Sequence, residues 1–406
     1  MKKRYLMAAA VGALVACFAL VNSVQAETFK TALSLAITGP TSDAGNPYSK
    51  GAEDYVKYVN DTKILGDNKV EIDIRDDAYK TDVTKRNFEE FLDNGIVVYL
   101  NYSTGSTLAL KKDFEETKMP TIPASFHAGN LVDSNYVFLP IVSYSGQMIG
   151  LAEYVAKNHQ GGKAKVALFI HPSAFGRGPV EDTKKAIEKG LNIEIVEVVE
   201  HGKDLDNTAT IQRLLSEGVQ YVITHTVQSP VATLIKGAEE LGVSAKSFGE
   251  KGKLTFLGAH YTGGNDLIAL AGTAAEGFLW TTSYTLTSVP GPGTDLQLMV
   301  AKKYGRDENT ANSHNYANGM MVAQVAVEAM KRVLDSGKKV SKETIYEALN
   351  GMNGANAYDP KTTVGPVTYS KTDREGVDTL QLYKVAGGVF KAEGAPFVPE
   401  YVAKIK

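Results

Sequence analysis

The stretch TALSLAITGPTSDAGNPYSKGAEDYVKYVND, residues Thr31–Asp61, decides the fold. It opens with the apolar run Thr31–Ile37, which is typical of a strand buried on both faces of a parallel sheet. Thr38-Gly39-Pro40 ends that strand, and Asn46 followed by Pro47 indicates a helix start, with Asn46 as the cap. Apolar residues then recur at helical spacing and predict one buried helix face: Ala52, Tyr55, Val56 and Val59. In an open α/β sheet, the loop that leaves such a strand is where ligands bind.

The same unit of strand, polar loop and helix recurs along the chain. Further apolar segments predict strands at 70–74, 96–100, 120–123, 166–170, 193–199, 221–224, 254–257 and 278–283. Their alternation with helical segments predicts an α/β fold with parallel sheets and right-handed crossovers. Because the strands form two sets of about four, we expect two similar doubly wound lobes in tandem with a cleft between them.

The last segment has a different pattern. Val367-Thr368-Tyr369, Thr379–Val385 and Val389-Phe390 predict a set of antiparallel strands, with Gly387-Gly388 at a turn. We place the domain boundaries as follows: signal peptide 1–26, first lobe 27–145, second lobe 146–281, first lobe again 282–362, and completion of the second lobe with the C-terminal tail 363–406.

The N-terminus predicts export. Lys2, Lys3 and Arg4 precede an apolar run, and Val24-Gln25-Ala26 offers small residues for cleavage after Ala26. A membrane anchor is the alternative, but the apolar run is short for one. Leu14-Val15-Ala16-Cys17 also resembles the lipobox of bacterial lipoproteins, which would place a lipid on Cys17. Export to the periplasm follows from either cleavage.

Composition excludes several functions. Cys17 is the only cysteine, so cleavage after Ala26 leaves a mature chain without disulfides or thiol chemistry. The formal charge moves from −3 to −6 because Lys2, Lys3 and Arg4 are removed. Such a chain is not basic enough to bind a nucleic acid backbone. No later stretch is long and apolar enough to span a bilayer.

Enzyme motifs are missing from the sequence. It has no G-x-S-x-G, no H-E-x-x-H and no Walker loop, and Gly176-Arg177-Gly178 is too short for a dinucleotide fingerprint. Asp76-Asp77 could act as an acid and a base, but we favour a solvated or hinge-bonded pair at a strand end. We therefore predict a protein that is not an enzyme and needs no cofactor and no metal.

Several strand-exit loops carry residues suited to a ligand. His127, His225 and His260 each follow a strand and could donate or accept hydrogen bonds to a ligand, although a surface position is the alternative. They have no cysteine or spaced histidine partner that would indicate zinc. Ser103-Thr104-Gly105-Ser106 begins a helix, whose free N–H groups and hydroxyls suit a carboxylate, although helix capping would select the same residues. Aromatic residues could line the pocket or belong to the core: Tyr102, Phe126, Phe175, Tyr261 and Trp280.

At this point the sequence resembles a known family. ITGPTSDAGNPYSKGAEDYVKYVND is similar to the opening signature of periplasmic solute-binding proteins of the branched-chain amino acid type, which serve ABC importers. The likeness continues in IRDDAYKTD, IPASFHAGNL, Phe175-Gly176 and VGPVTYSKTDREG, and so covers essentially the whole mature chain. The resemblance implies a type I binding fold, three crossing segments at the hinge and closure of the lobes on a small solute.

The resemblance also implies site residues. The ligand carboxylate would be held by Thr104 with its neighbours Ser103 and Gly105, and by Ser125 and His127. Phe175 stands where the family usually has tyrosine. Exit-loop residues complete the predicted site: Ser42, Asp43, Tyr102, Phe126, His225, Val227, His260 and Tyr261.

The loop Leu257–Tyr261 bears on the solute. Amino-acid-binding members of the family usually place an acidic residue there for the ammonium group, whereas this chain has His260 and no carboxylate before Asp266. A buried ammonium without a countercharge is costly. We therefore expect an organic acid, aromatic acids included, or an amide rather than leucine, unless Asp43 or another carboxylate reaches the site.

The predicted function is that of the solute-binding subunit of an ABC importer, acting as a monomer that docks on a membrane permease. A ligand sensor of the same fold that signals to a receptor or regulator is the alternative. A secreted hydrolase or amidase is a remote one.

Overall fold

The computed structural model describes residues 26–202 and 205–405. The predicted leader up to Gln25, with Cys17, lies outside the described residues. This part of the chain contains thirteen strands. Those of the first half are β1 (Thr28–Leu35), β2 (Lys69–Asp76), β3 (Val98–Asn101), β4 (Thr121–Pro123), β5 (Leu139–Ile141), β6 (Ala164–Ile170) and β7 (Ile193–Glu200). Those of the second half are β8 (Tyr221–His225), β9 (Thr255–Gly258), β10 (Leu279–Thr282), β11 (Glu375–Val377), β12 (Leu380–Val385) and β13 (Phe390–Phe397).

Helices follow most strands, as the sequence predicts. Those before residue 200 are α1 (Ser42–Asp61), α2 (Thr81–Asp93), α3 (Thr104–Thr117), α4 (Tyr144–Asn158), α5 (Ala174–Arg177) and α6 (Val180–Glu188). Those after it are α7 (Asn207–Ser216), α8 (Gln228–Glu240), α9 (Asn265–Ala271), α10 (Pro292–Lys303), α11 (Glu308–Asn312), α12 (His314–Asp335), α13 (Lys342–Asn350) and α14 (Glu400–Ile405). Short 3₁₀ turns lie at Ala128–Asn130, His260–Thr262, Gly272–Ala275 and Gly354–Asn356.

Two sheets form two lobes, which confirms the predicted architecture. The first lobe has a parallel sheet in the order β2-β1-β3-β4. The second lobe has a seven-stranded sheet in the order β13-β12-β10-β9-β8-β6-β7. Its strands β6 to β10 run parallel, and β12 and β13 add to it as an antiparallel hairpin. A small parallel pair, β5 with β11, accompanies the first lobe.

The chain crosses between the lobes three times. Ile141 packs in the core of the first lobe, whereas Met148 packs in that of the second. The chain returns after β10, since Tyr284 belongs to the first core. It leaves again between Val377 and Leu380, which pair with β5 and β13 respectively. Three such crossings allow the two lobes to rotate about a common hinge.

The first lobe is built on a close crossing of α1 and α12. A Cβ atom added to Gly319 would lie 1.8 Å from the Tyr48 carbonyl oxygen, and one added to Gly51 would lie 2.0 Å from that of Tyr316. The backbones of the two helices therefore touch, and only glycine fits at these positions. This contact fixes α1, and with it the loop that follows β1.

Two local predictions are wrong. Helix α1 begins at Ser42, four residues before the predicted cap, because Thr41 adopts a left-handed conformation with φ of 65° and turns the chain early. Asn46 instead donates from its side chain to the Ile37 carbonyl at 2.9 Å. Val367–Tyr369 does not join the C-terminal hairpin: Val367 bridges to Tyr358, and both Val367 and Tyr369 pack in the core of the first lobe. Among the described residues, no helix is long and apolar enough to cross a membrane.

Candidate functional site

A small cavity lies where the two lobes meet. Nine residues line it: Thr41, Tyr79, Tyr102, Thr104 and Ala124 from the first lobe, Tyr144 from the hinge, and Phe175, Val227 and Tyr261 from the second lobe. The cavity is almost filled by these side chains, and its free volume is only about 20 Å³. A much larger hollow of about 680 Å³ lies within the second lobe among α4, β13 and α14, away from the contact between the lobes.

The cavity is small because the lobes are closed on each other. The Tyr261 hydroxyl of the second lobe donates to the Ala124 carbonyl of the first lobe at 2.8 Å. The Tyr79 ring lies 6.0 Å from the His171 ring across the cleft. Gly178 lies against the His127 imidazole, since an added Cβ atom would be 2.3 Å from its Cδ2. The structure therefore shows the closed conformation. The lobes must separate before a solute can enter the cavity.

One end of the cavity is polar. Ser103 caps α3 by accepting from the Ser106 N–H at 3.2 Å. The hydroxyls of Thr104 and Ser125 share a hydrogen bond of 2.7 Å, and Asn130 donates from its side chain to the Ser125 hydroxyl at 3.1 Å. The first N–H groups of a helix have no partner inside it and attract anions. The first turn of α3 and this hydroxyl pair therefore form a site suited to a carboxylate.

Aromatic rings form the rest of the wall. The Tyr144 ring lies 5.2 Å from that of Phe175, and the Phe175 ring lies 5.9 Å from that of Tyr261. Phe126 is stacked behind Tyr261 at 5.9 Å and does not line the cavity. None of the nine lining residues carries a charge, so the cavity combines hydroxyl groups with apolar faces.

His225 lies directly behind this wall. It is fully buried, its Nε2 donates to the Phe175 carbonyl at 3.0 Å, and its ring lies 4.6 Å from that of Tyr144. Because a carbonyl only accepts, Nε2 carries the proton and Nδ1 is left as an acceptor. Within the part of the chain that the structure describes, Nδ1 has no hydrogen-bond partner. Burial lowers the pKa of His225 to about 3, which keeps it neutral.

His260 lies at the hinge, outside the residues that line the cavity. Asn318 of α12 donates to its Nε2 at 2.7 Å, which leaves Nδ1 to donate to the Thr282 hydroxyl at 3.0 Å. Both ring nitrogens are thus engaged by protein groups. Burial, with the neighbouring His314, lowers the pKa of His260 well below its usual value. In this conformation His260 joins the exit loop of β9 to the first lobe.

The predicted site residues fall into three groups. Five line the cavity: Tyr102, Thr104, Phe175, Val227 and Tyr261. Others lie within one residue or one side chain of it: Ser42, Ser103, Gly105, Ser125, Phe126 and His225. His127 accepts from the Gly129 N–H at 2.9 Å, and Asp43 lies exposed at the mouth of the cleft. These two residues and His260, which lies at the hinge, form the third group. The role of every predicted residue in solute binding stays a prediction.

Sequence reasoning missed four lining residues. Thr41 and Tyr79 lie in the exit loops of β1 and β2, where left-handed conformations turn their side chains to the cleft. Ala124 adjoins the predicted Ser125, and Tyr144 begins α4 at the first crossing. Asp76 and Asp77 stabilise these loops by hydrogen bonds to the backbone. Asp76 accepts from the Thr38 N–H, and Asp77 accepts from the Tyr79 N–H. Trp280 is buried in the core of the second lobe.

Comparison with known proteins identifies the family. The sequence profile of the periplasmic binding proteins matches residues 28–389, and the chain belongs to this family. A branched-chain amino acid ABC transporter protein from Thermus thermophilus, solved with bound valine, is 44% identical, with a TM-score of 0.88 over 94% of this chain and 99% of that one. The chain thus belongs to the substrate-binding proteins of branched-chain amino acid ABC transporters.

More distant relatives agree with this assignment. The leucine-, isoleucine-, valine-, threonine- and alanine-binding protein of Pseudomonas aeruginosa is 23% identical over 84% of this chain and 86% of its own. A solute-binding protein from Rhodopseudomonas palustris BisB5, in complex with 3,4-dihydroxybenzoic acid, shares the fold: it is 22% identical, with a TM-score of 0.75 over 92% of this chain and 98% of that one. Because these proteins bind solutes, the chain is a binding protein and not an enzyme.

Proposed function

We propose that this chain is the extracytoplasmic solute-binding subunit of an ABC importer, and that it captures a small α-amino acid with an apolar side chain between its lobes. The observation that carries the proposal is the cavity itself, in which Thr104 of the first lobe faces Phe175 and Tyr261 of the second. The polar end suits a carboxylate, and the aromatic wall suits an apolar side chain. The relative that holds valine favours an amino acid.

Binding would work by a shift of population. The open form exposes the cleft, and a solute that touches both lobes has higher affinity for the closed form. A micromolar Kd corresponds to about −8 kcal/mol, which a few charge-assisted hydrogen bonds and the burial of one side chain can supply. The leader would be cleaved after Ala26, and the closed monomer would dock on a permease in the periplasm.

A second candidate solute is an organic acid without an ammonium group. The observation that favours it is the absence of any carboxylate among the nine residues that line the cavity. An unpaired ammonium is costly to bury, whereas a carboxylate alone already has a suitable end of the cavity. A sensor that feeds a regulator instead of a permease would use the same closure.

A thermal-shift screen tests the proposal. The panel contains L-valine, L-leucine, isovalerate and 3,4-dihydroxybenzoate, each against the parent chain and Thr104→Val. A solute that binds the native state adds RT ln(1 + [L]/Kd) to its stability, which is about 2.7 kcal/mol at one hundred times Kd. We expect L-valine or L-leucine to raise the melting temperature of the parent and Thr104→Val to lose most of this rise. No rise with any member of the panel would contradict capture of a small carboxylate.

Transport is tested by uptake. A strain that lacks the gene should lose high-affinity uptake of the solute identified in the screen, and the parent gene should restore it. Normal uptake without the gene, together with a lost transcriptional response to the solute, would favour the sensor.

A further inference from the structure

The histidines of this chain gather where the two lobes meet. The sequence contains seven, and six of them lie at or beside the carboxyl ends of strands or at the hinge: His127, His171, His201, His225, His260 and His314. The seventh, His159, lies by the opposite end of β8, where its ring shares a hydrogen bond with the Tyr221 hydroxyl. Histidine is the side chain whose ordinary pKa lies nearest the physiological range. The contact between the lobes is therefore able to respond to pH.

His171 is buried by a residue of the opposite lobe. It follows β6 of the second lobe and is only 8% exposed. Its ring lies 6.0 Å from the Tyr79 ring of the first lobe. On its own lobe it packs against Phe175 and His201, with ring distances of 5.7 Å and 5.2 Å. Tyr79 leaves this position when the lobes separate, so the open form exposes His171 to water.

The groups around His171 disfavour a proton on it in the closed form. Burial, followed by the charges of His201 and of Arg177 on α5, lowers the pKa of His171 to about 4. Arg177 is itself paired with Glu200, and burial raises the pKa of Tyr79 to about 12, so that this phenol stays neutral. His171 is thus neutral in the closed form at pH values where an exposed histidine, with a pKa of about 6.5, is protonated.

His127 has the corresponding position on the first lobe. Its Nδ1 accepts from the Gly129 N–H at 2.9 Å, so the neutral ring carries its proton on Nε2. Nε2 faces the second lobe, where a Cβ atom added to Gly178 would lie 2.6 Å from it. A second proton, on Nδ1, would break the bond to Gly129. Burial lowers the pKa of His127, while the nearby charges of Asp182 on α6 and Lys111 on α3 act against each other.

Two carboxylates reduce the effect of these histidines. Asp43 of the first lobe favours a proton on His201 of the second, although burial keeps the pKa of His201 below its usual value. Asp266 accepts from the His314 N–H at 2.9 Å, and burial raises the pKa of Asp266 to about 6. The sign of the response is set by His171 and His127, because the opposite lobe covers both of them.

Building on the proposed function, we propose that closure of the lobes releases protons from His171 and His127, so that the protein holds its solute at neutral pH and gives it up in acid. Protons on these two histidines favour the open form, whereas the solute favours the closed one. Such coupling is reciprocal, and binding of solute below about pH 6.5 must therefore release protons.

Calorimetric titration of the full chain at pH 7.5 and 5.5 tests this coupling, with circular dichroism to check that the chain is folded at both. The probes are L-valine and 3,4-dihydroxybenzoate, which keep an ionised carboxylate over this range. A histidine whose pKa falls from about 6.5 to about 4 on closure changes the closing equilibrium about tenfold between these pH values. We expect the Kd of a probe that binds at pH 7.5 to rise about tenfold at pH 5.5. Titrations in two buffers of different ionisation enthalpy should show proton release on binding at pH 5.5.

Matched histidine variants assign the effect, and the measured quantity is the ratio of the two Kd values within each variant. His171→Asn keeps a polar group beside the Ser173 hydroxyl, which lies 2.8 Å from Nδ1, but cannot titrate. Its ratio should fall to about threefold. His127→Asn should also lower the ratio, and it serves if His171→Asn fails to fold. His159→Asn should keep the parental ratio.

The outcomes separate the coupling from the proposed function. Equal Kd values at both pH values in the parent, or a parental ratio in both His171→Asn and His127→Asn, would overturn the coupling while solute capture stands. An equal fall of the ratio in His159→Asn would also overturn it. If neither probe binds the parent at pH 7.5, the proposed function itself fails, and the coupling fails with it.

Discussion

The Ser229 hydroxyl of the second lobe donates a 2.6 Å hydrogen bond to the Asp43 carboxylate of the first lobe. Ser229 stands in the first turn of α8 and Asp43 in the first turn of α1, so the bond joins two helix starts across the mouth of the cleft. The Ser229 N–H lies 3.4 Å from the same carboxylate oxygen. This pair forms only when the lobes are closed, and it therefore favours the closed form.

Removal of this bond should weaken solute binding without damage to either lobe. We expect Ser229→Ala to raise the Kd for L-valine about fivefold, which corresponds to roughly 1 kcal/mol for a hydrogen bond to an exposed charge. The melting temperature without solute should change little. Ser216→Ala, at an exposed serine of α7, is the matched control, and calorimetric titration is the measurement. An unchanged Kd in Ser229→Ala would show that the pair does not contribute to closure.

His260 should behave as a structural residue of the hinge. His260→Ala removes hydrogen bonds to Thr282 and Asn318 and leaves a cavity in a fully buried site. We expect a loss of about 3 kcal/mol in the free energy of unfolding without solute, measured by urea denaturation. His159→Ala, at a half-buried histidine whose ring shares a hydrogen bond with the Tyr221 hydroxyl, should lose clearly less. Parental stability together with weakened solute binding would instead make His260 a ligand contact.

The crossing of α1 and α12 should not tolerate a methyl group. We expect Gly319→Ala to destabilise the first lobe by about 3 kcal/mol, because its Cβ atom would overlap the Tyr48 carbonyl and force the helices apart. Gly162→Ala is the control, since a Cβ atom there meets nothing within 4 Å. Thermal unfolding of both variants beside the parent is the measurement. Similar melting temperatures for the two variants would contradict the close packing of these helices.

Stability should fall as the pH drops below about 6.5. Burial lowers the pKa of His171 to about 4, and those of His225 and His314 to about 3. These values lie below the pKa of a histidine in the unfolded chain. Between about pH 6.5 and 4, these histidines are therefore protonated in the unfolded state but stay neutral in the native state. Stability is therefore complete above about pH 6.5 and is lost toward acid.

Carboxyl groups with a raised pKa act in the opposite direction, and Asp266 is the clearest case. Burial raises the pKa of Asp266, which accepts from the His314 N–H at 2.9 Å, to about 6. Between about pH 6 and 4, Asp266 is protonated in the native state but ionised in the unfolded state. It therefore partly offsets the stability that the histidines lose in acid. Among the residues that the structure describes, burial lowers the pKa of six histidines, whereas it raises the pKa of only three carboxyl groups, Asp77, Glu153 and Asp266. We therefore expect a lower melting temperature at pH 5 than at pH 7. A flat or rising profile between these values would show that these histidines are not buried as described.

Much of the architecture follows from the sequence. The alternation of apolar strands with helical segments predicts both parallel sheets, and the rule that ligands meet strand-exit loops places Tyr102, Thr104, Phe175, Val227 and Tyr261 together. These residues line the cavity because each follows a strand of one of the two sheets.

The remainder depends on features without a local sequence signal. Thr41 and Tyr79 reach the cavity through left-handed backbone conformations that residues other than glycine seldom adopt. Tyr144 is placed by the hinge crossing, which no single element predicts. His260 looks like an exit-loop residue, yet Asn318, 58 positions further along the chain, holds it in the interior. Such contacts appear only when both lobes are assembled.

A crystal structure grown with L-valine tests the central claim most directly. We predict that valine lies in the cavity between the lobes, with its carboxylate at Thr104 and the first turn of α3, and that Phe175 and Tyr261 cover it from the second lobe. Valine bound to one lobe only, or bound outside the cleft, would contradict the account.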